Sequence, residues 1–241
     1  MSDKLQKVLF LDRDGTISYD DGAFGSEEFP YDEVIKKTRP IEGVKENLKI
    51  AKDKGFMLIV ISNQAGIAKG RFGECDTHLS NKLLQDKLDG LIDGFYYCPH
   101  HTTGKNNSGQ ISKNARLDLI YKCECRKPKI GLFLQCEQDL LNGKIQYIDE
   151  NIINRKIQYS ENRDRIFKKD IEPTMIDKKN SYMIGDKWID VLAGERYGVN
   201  PIFVMTGEGE VEFKQKKDKQ EVLPQNFEVF DSINDFIKER I

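Results

Sequence analysis

The stretch Val8-Leu-Phe-Leu-Asp-Arg-Asp-Gly-Thr16 passes from four apolar residues directly into two closely spaced carboxylates. A continuous apolar run of this length is typical of a parallel strand that is buried on both faces. In open α/β sheets, ligands bind beyond the carboxyl ends of the strands, which is where Asp12 and Asp14 stand. Gly15 permits a turn that brings both carboxylates to one site, and such a pair favours a cation. The stretch therefore predicts an α/β fold with a metal-dependent site, although Asp-Gly is also a common turn pair.

Further apolar runs predict the rest of the fold. Strands are expected at 57–61, 182–184 and 202–205. Helices are expected at 44–51, with a stop at Gly55, at 77–88, 131–141 and 191–197, and from a Ser232 cap to residue 241. The apolar face predicted for the second helix consists of Leu79, Leu83, Leu84 and Leu88. Alternating strands and helices predict a Rossmann-like parallel sheet with helices on both faces.

The composition limits the classes of function. The 241 residues carry 38 basic and 40 acidic side chains, so the net charge of −2 offers no general attraction to nucleic acid or membranes. Residues 1–7 are polar, and no apolar run approaches a membrane span. Five cysteines without a secretory signal favour a reducing compartment. We therefore expect one soluble, cytoplasmic domain over 1–241, with a small metabolite as its partner. The oligomeric state is open, with a monomer favoured.

Two regions interrupt the alternation of strands and helices. Residues 102–122 are polar and predict a loop. Residues 142–180 are highly charged and form an insertion of unknown role, in which Lys-Ile-Gln-Tyr occurs at 144–147 and again at 156–159. Two copies are too few for a solenoid. A hairpin, a small helical insert or a partly disordered segment all remain open for the insertion. A substrate lid and a dimer contact are also open, and simple elaboration is favoured.

A polar motif follows the second predicted strand. Ser62, Asn63 and Gln64 offer a hydroxyl and two amides that can donate hydrogen bonds to a phosphoryl group. The alternative is an ordinary polar turn. Arg126 and Lys127 come later in the chain and supply fixed positive charge, which stabilises a phosphoryl-transfer transition state.

A third strand end carries further acidic residues. Asp186 directly follows the third apolar strand, and Asp190 either supports a site there from behind or caps the next helix. Lys187, between them, would by itself be an ordinary exposed lysine.

In this order, the motifs resemble those of the haloacid-dehalogenase superfamily of phosphatases, and the resemblance runs from about residue 8 to 207. It implies that Asp12 is the nucleophile that forms an aspartyl-phosphate and that Asp14 is the general acid and base. It further implies that Ser62 and Lys127 hold the phosphoryl group. The implied Mg²⁺ site lies between Asp12, Asp14 and Asp186. The matching fold has no large cap domain.

The string Asn63-Gln-Ala-Gly-Ile-Ala-Lys-Gly70 is more specific. It resembles a loop of the heptose-1,7-bisphosphate 7-phosphatases, a group related to the histidinol-phosphatases. This resemblance implies removal of the 7-phosphate from D-glycero-D-manno-heptose 1,7-bisphosphate. A histidinol-phosphate phosphatase and a non-enzymatic, zinc-stabilised binding protein are the alternatives. The expected substrate contacts are Asp20, Asp21, Gly22, Asn63, Gln64, Arg126 and Lys187.

A loop at 98–125 carries a possible zinc site. Cys98, His100, Cys123 and Cys125 offer three sulfurs and an imidazole, a common set for structural zinc. A metal would tie down the polar segment that forms little core of its own. The pattern also resembles the zinc loop of heptose-bisphosphate phosphatases, but the loop is longer than expected. His101 is the next candidate ligand, and no role is assigned to Cys75, Cys136 and His78.

Overall fold

The computed structural model describes residues 5–20, 38–106, 108–147, 168–218, 224 and 226–241. Its centre is a six-stranded sheet in which every paired strand is parallel to its neighbour. No helix in these ranges is long and apolar enough to span a membrane. The predicted Rossmann-like parallel sheet is confirmed.

The strand order across the sheet is β10-β9-β8-β2-β3-β4. In chain order, the bounds of these strands are β2 Val8–Leu11, β3 Met57–Asn63, β4 Gly94–Cys98, β8 Tyr182–Gly185, β9 Asn200–Val204 and β10 Glu228–Phe230. Two minor pairs lie outside the sheet: β1 (Leu5–Gln6) pairs with β7 (Met175–Ile176), and β5 (Lys144–Gln146) pairs with β6 (Lys168–Asp170).

Helices cover both faces of the sheet. Their bounds are α1 Val44–Asp53, α2 Glu74–Lys87, α3 Gly131–Leu141, α4 Trp188–Tyr197, α5 Gly209–Asp218 and α6 Ile233–Arg240. On one face, Leu48 of α1 and Phe236 of α6 pack with Leu9 and Leu58. On the other face, α3 and α4 pack against Phe10, Ile59 and Met183. The strands therefore present apolar side chains on both faces of the sheet, as a sheet covered by helices on both faces requires.

The predicted elements agree with the structure in most places. The four apolar runs are β2, β3, β8 and β9, and Ser232 accepts a hydrogen bond from the Asp235 backbone N–H at the start of α6. The sequence reading missed β4, β10 and α5. Its apolar face for α2 was partly wrong, because Leu79 and Leu83 are only half-buried. The fully buried side chains of α2 are instead Thr77, Ser80, Asn81 and Leu84.

The charged insertion is anchored at the opposite end of the sheet from the strand termini that carry the motifs. Its flanks form the antiparallel pair β5–β6, and Ile145 packs at Gly94, where β4 begins. Gln146 donates its backbone N–H to the Tyr96 hydroxyl, 3.3 Å away. Residues 148–167, including the second Lys-Ile-Gln-Tyr copy, lie outside the described residues.

Candidate active site

Asp12 stands directly after β2, at the centre of the sheet. Its backbone N–H donates to the carbonyl oxygen of Ile184 in β8 at 2.9 Å, which fixes the start of the loop to the neighbouring strand. The side chain is nearly buried, and its Oδ1 atom accepts a hydrogen bond from Lys127 Nζ at 2.7 Å. The expected nucleophile and the expected phosphate-binding lysine are therefore in direct contact.

Lys127 is buried and has three close oxygen partners. Its Nζ atom lies 2.7 Å from Asp12 Oδ1, 2.6 Å from Asp190 Oδ1 and 2.7 Å from the carbonyl oxygen of Ile61. Burial alone would lower the pKa of this lysine, but the charges of Asp12 and Asp190 outweigh burial and raise the pKa. Lys127 therefore holds a fixed positive charge beside the nucleophile.

Asp12, Asp186 and Asp190 form a buried carboxylate cluster. Each offers one oxygen, and these oxygens lie within 4.8 Å of one another. Burial, followed by the charges of Asp12 and Asp190, raises the pKa of Asp186 to about 8. Burial also raises the pKa of Asp190 to about 6. The site thus concentrates negative charge in a dry environment, which a divalent cation would offset.

The donor set of this cluster fits magnesium. Asp186 Oδ1 is a buried oxygen with no hydrogen-bond partner within the described ranges, while Oδ2 accepts from the Glu208 backbone N–H at 2.9 Å. Both Asp190 oxygens are engaged, Oδ1 by Lys127 and Oδ2 by the Lys187 backbone N–H at 3.1 Å. Asp12 and Asp186 are therefore the carboxylates best suited to hold Mg²⁺, and Asp190 supports Lys127 and the start of α4.

Two glycines make room for the Asp186 carboxylate. Gly15 and Gly207 both have positive φ angles, +83° and +60°. A Cβ atom on either one would collide with Asp186 Oδ2, and the two glycines also approach each other closely. Only glycine allows both loops to close over this side chain.

Asp14 does not join the carboxylate cluster. Its Oδ1 atom accepts from Arg13 Nε at 2.9 Å, and its Oδ2 atom accepts from Arg13 Nη2 at 3.0 Å and Gln64 Nε2 at 2.9 Å. Burial works to raise the pKa of Asp14, but the guanidinium of Arg13 and the hydrogen bonds of Arg13 and Gln64 lower it overall. A ligand role for the Asp14 carboxylate remains a prediction that rests on the resemblance alone.

The second motif supports its neighbours. Ser62 is buried at the end of β3, and its Oγ accepts from Gln64 Nε2 at 2.7 Å. Asn63 binds the backbone of Lys127, with its Oδ1 accepting from the Lys127 N–H at 3.0 Å and its Nδ2 donating to the Lys127 carbonyl at 3.2 Å. Asn63 and Gln64, expected as substrate contacts, are thus placed to position Lys127 and Asp14.

Basic side chains adjoin this centre. Lys187 is about one-quarter exposed and pairs with Glu208 at 3.5 Å. Despite burial, the charges of Asp186, Asp12, Glu208 and Asp20 raise its pKa. Lys69, Arg71 and Arg126 form a second basic group: burial, then the charges of Arg71 and Arg126, lower the pKa of Lys69. Asp21 and Gly22 lie outside the described residues.

Cys98, His100, Cys123 and Cys125 come together as predicted. One donor atom from each lies within 4.8 Å of the others. The Sγ of Cys98 lies 3.6 Å from that of Cys123 and 3.2 Å from that of Cys125, without a disulfide, and His100 Nδ1 lies 3.1 Å from Cys125 Sγ. Separations of this size suit a tetrahedral ion with bonds of about 2.0–2.3 Å. The cluster fits zinc, with Nδ1 as the histidine donor.

The other cysteines and histidines have separate environments. Cys136 is a buried residue of α3, and Cys75 is half-buried near the start of α2. His78 Nε2 lies 3.1 Å from the Tyr97 hydroxyl, and burial lowers the His78 pKa to about 4. His101 Nδ1 accepts from the Gly104 backbone N–H at 2.9 Å. None of them belongs to the four-residue cluster.

Sequence reasoning missed several residues that shape these two sites. Arg13 stood inside the quoted motif, but an arginine between two acids gave no sign that it would be buried. Asn81 was missed because the buried face of α2 was predicted from its leucine residues. Tyr121, whose hydroxyl lies 2.7 Å from His100 Nε2, and Glu208, which reaches Asp186 through its backbone, carry no motif.

Two family models match the chain. A HAD-hydrolase-like model matches residues 124–236, and a model described as polynucleotide kinase 3 phosphatase matches residues 7–160. The chain belongs to the haloacid-dehalogenase-like family of hydrolases. The family members named here are phosphatases, so the predicted family and reaction class are confirmed.

Within this family, the chain is similar to proteins named D-glycero-beta-D-manno-heptose-1,7-bisphosphate 7-phosphatase. The protein of Haemophilus ducreyi is 33% identical over 217 residues, covering 88% of this chain and 90% of the relative. The protein of Escherichia coli strain K12 is 31% identical over 204 residues, covering 83% and 80%.

Solved structures agree on the fold. A D,D-heptose 1,7-bisphosphate phosphatase from B. bronchiseptica, complexed with magnesium and phosphate, superposes with a TM-score of 0.62 at 18% identity and covers 97% of both chains. A HAD-like phosphatase from Mesorhizobium loti gives a TM-score of 0.55 at 21% identity, covering 84% of this chain and 74% of the other.

Proposed function

We propose that this chain is a magnesium-dependent phosphatase that removes the 7-phosphate from D-glycero-D-manno-heptose 1,7-bisphosphate. The observation that carries the reaction is the contact between buried Asp12 and Lys127 beside the Asp186 carboxylate. The substrate rests on relatives of this name, which are similar over more than four-fifths of the chain.

The reaction begins with attack by Asp12 on phosphorus. A bond forms between a carboxylate oxygen and phosphorus as the bond to the sugar oxygen breaks, and Asp14 gives that oxygen a proton. Lys127 and Ser62 bind the phosphoryl oxygens, whose charge is held in a site with little water. Asp14 then takes a proton from water, which attacks phosphorus and releases Asp12 and inorganic phosphate.

Mg²⁺ held by Asp12 and Asp186 would offset their charge and that of the phosphoryl group. The chain's own contribution is to hold both carboxylates in place. Gly15, Gly207 and the Glu208 backbone N–H fix Asp186, while Lys127 fixes Asp12.

A bisphosphate suits the charges near the centre. The phosphate that leaves needs Lys127, and the phosphate that stays needs a second cationic group. Burial and the charges of Arg71 and Arg126 lower the pKa of Lys69, and Arg126 Nη1 donates to the His100 carbonyl at 3.4 Å. Arg126 would place a planar fork toward this second phosphate. Lys187, with Asp20 nearby, would contact the sugar.

The Cys98, His100, Cys123 and Cys125 cluster would hold a structural zinc ion. Four protein donors leave no open position for catalysis. Because Cys125 lies two residues before Lys127, the ion would fix the chain that delivers the catalytic lysine.

A substrate panel tests this proposal. Wild type and Asp12→Asn are assayed with Mg²⁺ on heptose 1,7-bisphosphate, histidinol phosphate and a 3′-phosphorylated oligonucleotide. The oligonucleotide is included because the polynucleotide kinase 3 phosphatase model matches residues 7–160. We expect the highest kcat/KM on the heptose bisphosphate and none above background for Asp12→Asn. Preference for either other substrate overturns the substrate assignment, and equal turnover by both proteins overturns the nucleophile.

A binding protein without activity is the remaining alternative. It would hydrolyse no substrate in the panel, yet would still bind phosphate or the sugar phosphate in calorimetry. That result would contradict the enzymatic assignment while leaving the zinc proposal intact.

A further inference from the structure

We propose that Asn81 on α2 is a positioning residue for the general acid, acting through Arg13 on Asp14. This inference rests on the proposed phosphatase reaction and deepens it. Neither Asn81 nor Arg13 touches the reacting atoms in this scheme. Together they determine where the Asp14 carboxylate points.

The buried face of α2 has an unusual composition. The helix buries Thr77, Ser80 and Asn81 before it buries Leu84. Buried polar groups need hydrogen-bond partners, so a face of this kind is costly unless it serves a network. The Ser80 hydroxyl lies 3.1 Å from the Thr38 hydroxyl, and Asn81 Oδ1 accepts from Arg13 Nη1 at 2.7 Å. Asn81 is therefore the buried polar residue of α2 that reaches Arg13.

Arg13 is buried to 1% exposure, and it donates hydrogen bonds to both Asp14 and Asn81. Nε and Nη2 form a two-pronged contact with the two oxygens of Asp14, while Nη1 reaches Asn81. A guanidinium is planar and rigid, so fixing Nη1 also fixes the direction of the other two donors. Asn81 on α2 therefore determines the direction of the Asp14 carboxylate through the rigid Arg13 guanidinium.

The Arg13 backbone is also fixed. Its carbonyl oxygen accepts from the backbone N–H groups of Ile17 and Ser18 at 3.1 and 3.0 Å, and from the Ser18 hydroxyl at 3.2 Å. The loop after β2 thus wraps around Arg13. Asn81 holds the far end of the side chain at Nη1.

Asp14 remains able to react in this arrangement. Its side chain is 22% exposed. A carboxylate oxygen can accept two hydrogen bonds, and Oδ1 receives one from Arg13. Gln64 holds Oδ2 from the other side and also binds Ser62, so the carboxylate is fixed relative to the phosphoryl-binding serine. Oδ1 is the oxygen left to carry the transferred proton.

A purely structural role for Asn81 is the competing explanation. In that case the Asn81–Arg13 contact only attaches α2 to the sheet, and its loss affects all substrates alike. A positioning role predicts a different pattern. Protonation matters most when the leaving group is a poor one, such as a sugar alkoxide, and little when it is 4-nitrophenolate.

The test compares kcat/KM of Asn81→Ala on heptose 1,7-bisphosphate and on 4-nitrophenyl phosphate. This constant reports the step in which the leaving group departs, so slow hydrolysis of the aspartyl-phosphate does not mask the effect. We expect a loss of about 10- to 100-fold on the sugar phosphate, below the full range of about 10²–10⁴ for a general acid, and less than about threefold on the nitrophenyl ester. Equal losses on both substrates overturn the proposal.

Two variants complete the test. Asn81→Asp keeps an acceptor oxygen for Arg13 and should recover most of the sugar-phosphate activity. In an Asp14→Asn background, Asn81→Ala should cause no further change in the ratio of the two substrates. An additional loss of the same size in that background overturns the proposal.

Gln85→Ala is the matched control on the same helix. Gln85 binds the backbone of Ile92 through both ends of its amide and makes no hydrogen bond to Arg13 within the described ranges. It should lower thermal stability without altering the ratio of the two substrates. If Asn81→Ala does not fold, Arg13→Lys replaces it, because lysine keeps the charge and loses the fork. If wild type hydrolyses neither substrate, the proposed function fails, whereas an unselective loss defeats only the positioning role.

Discussion

The catalytic centre and the zinc-type cluster lie two residues apart in sequence at Cys125 and Lys127, but they are held in different ways. Asp12, Ser62 and Asp186 lie at the carboxyl ends of three neighbouring strands, so the backbone of the sheet places them. Of the four Cys and His residues, Cys98 ends β4, and the other three lie in the segment between β4 and α3, whose described residues form one short helical turn at Leu117–Leu119. Their side chains place the loop rather than the reverse.

Substitutions in the two regions should therefore have different consequences. Changing a side chain of the catalytic centre removes a reacting group from a framework that persists. Changing a side chain of the cluster removes the means by which its loop is held. The two regions meet at Lys127. Asn63, at the end of β3, binds the Lys127 backbone, and Cys125 of the cluster lies two residues before it in the chain.

Asp12→Asn should cause the largest loss. It removes the attacking oxygen, and we expect kcat/KM to fall by at least about 10⁴-fold. The fold should persist, because the sheet places this residue through its backbone bond to Ile184. Steady-state kinetics and thermal unfolding measure the two effects. Asp118→Asn, an exposed acid on the loop, is the control; an unfolded Asp12→Asn would show that the centre is not independent of its side chains.

Cys125→Ser should affect stability more than chemistry. Loss of one sulfur from the cluster should release the metal and lower Tm by roughly 6–12 °C, equivalent to about 3 kcal/mol for a chain of this size. Elemental analysis and calorimetry measure both. Cys75→Ser, a cysteine outside the cluster, should retain the metal and the wild-type Tm. A Cys125→Ser protein with full zinc content and unchanged Tm would contradict the zinc proposal.

The carboxylate cluster should make the magnesium-free protein less stable as pH rises. The Asp186 pKa is raised from 3.8 to about 8 on folding, so the folded protein holds a proton that the unfolded chain has released. The stabilisation is complete below the unfolded pKa and is lost as pH rises through the folded pKa. Burial lowers the His78 pKa to about 4, which has the opposite effect below pH 6.5, so the window for measurement is pH 6.5 to 8.

Across this window we expect the free energy of unfolding to fall by up to about 2 kcal/mol, given about 1.4 kcal/mol per pH unit for one proton. Urea denaturation with and without Mg²⁺ measures it, and the stabilisation by Mg²⁺ should increase with pH. Asp186→Asn should remove most of the slope. A slope that persists in Asp186→Asn would assign the titration to another group.

The two regions also differ in how far the sequence predicted them. Asp12, Ser62 and Asp186 were found because apolar strands end there, and parallel strands carry their site at one edge. The three cysteines and His100 were predicted as metal ligands because they form a common zinc-binding set, and because the polar loop between them forms little core of its own. Both signals depend on residue type and spacing, which the sequence states directly.

The residues that were missed act through tertiary contacts. Asn81 meets Arg13 across 68 positions of sequence, and no local pattern encodes that pairing. The apolar face assigned to α2 was wrong in part because the helix buries Thr77, Ser80 and Asn81, of which Asn81 binds Arg13. Likewise, the position of β5 and β6 at the start of β4 depends on how Ile145 packs at Gly94, not on the charged composition of 142–180.

Tyr121→Phe should give the smallest effect, and it tests how the His100 ring is held in the cluster. The hydroxyl lies 2.7 Å from His100 Nε2, so it fixes the ring that presents Nδ1 to the sulfurs. Removing it should weaken zinc affinity by about 10-fold, as for other partners of metal-bound histidines, while Tm with zinc in excess falls by no more than about 3 °C. Competition with a chromogenic chelator measures the affinity. Tyr19→Phe, remote from the cluster, is the control; equal affinity in both variants would show that the sulfurs alone hold the loop.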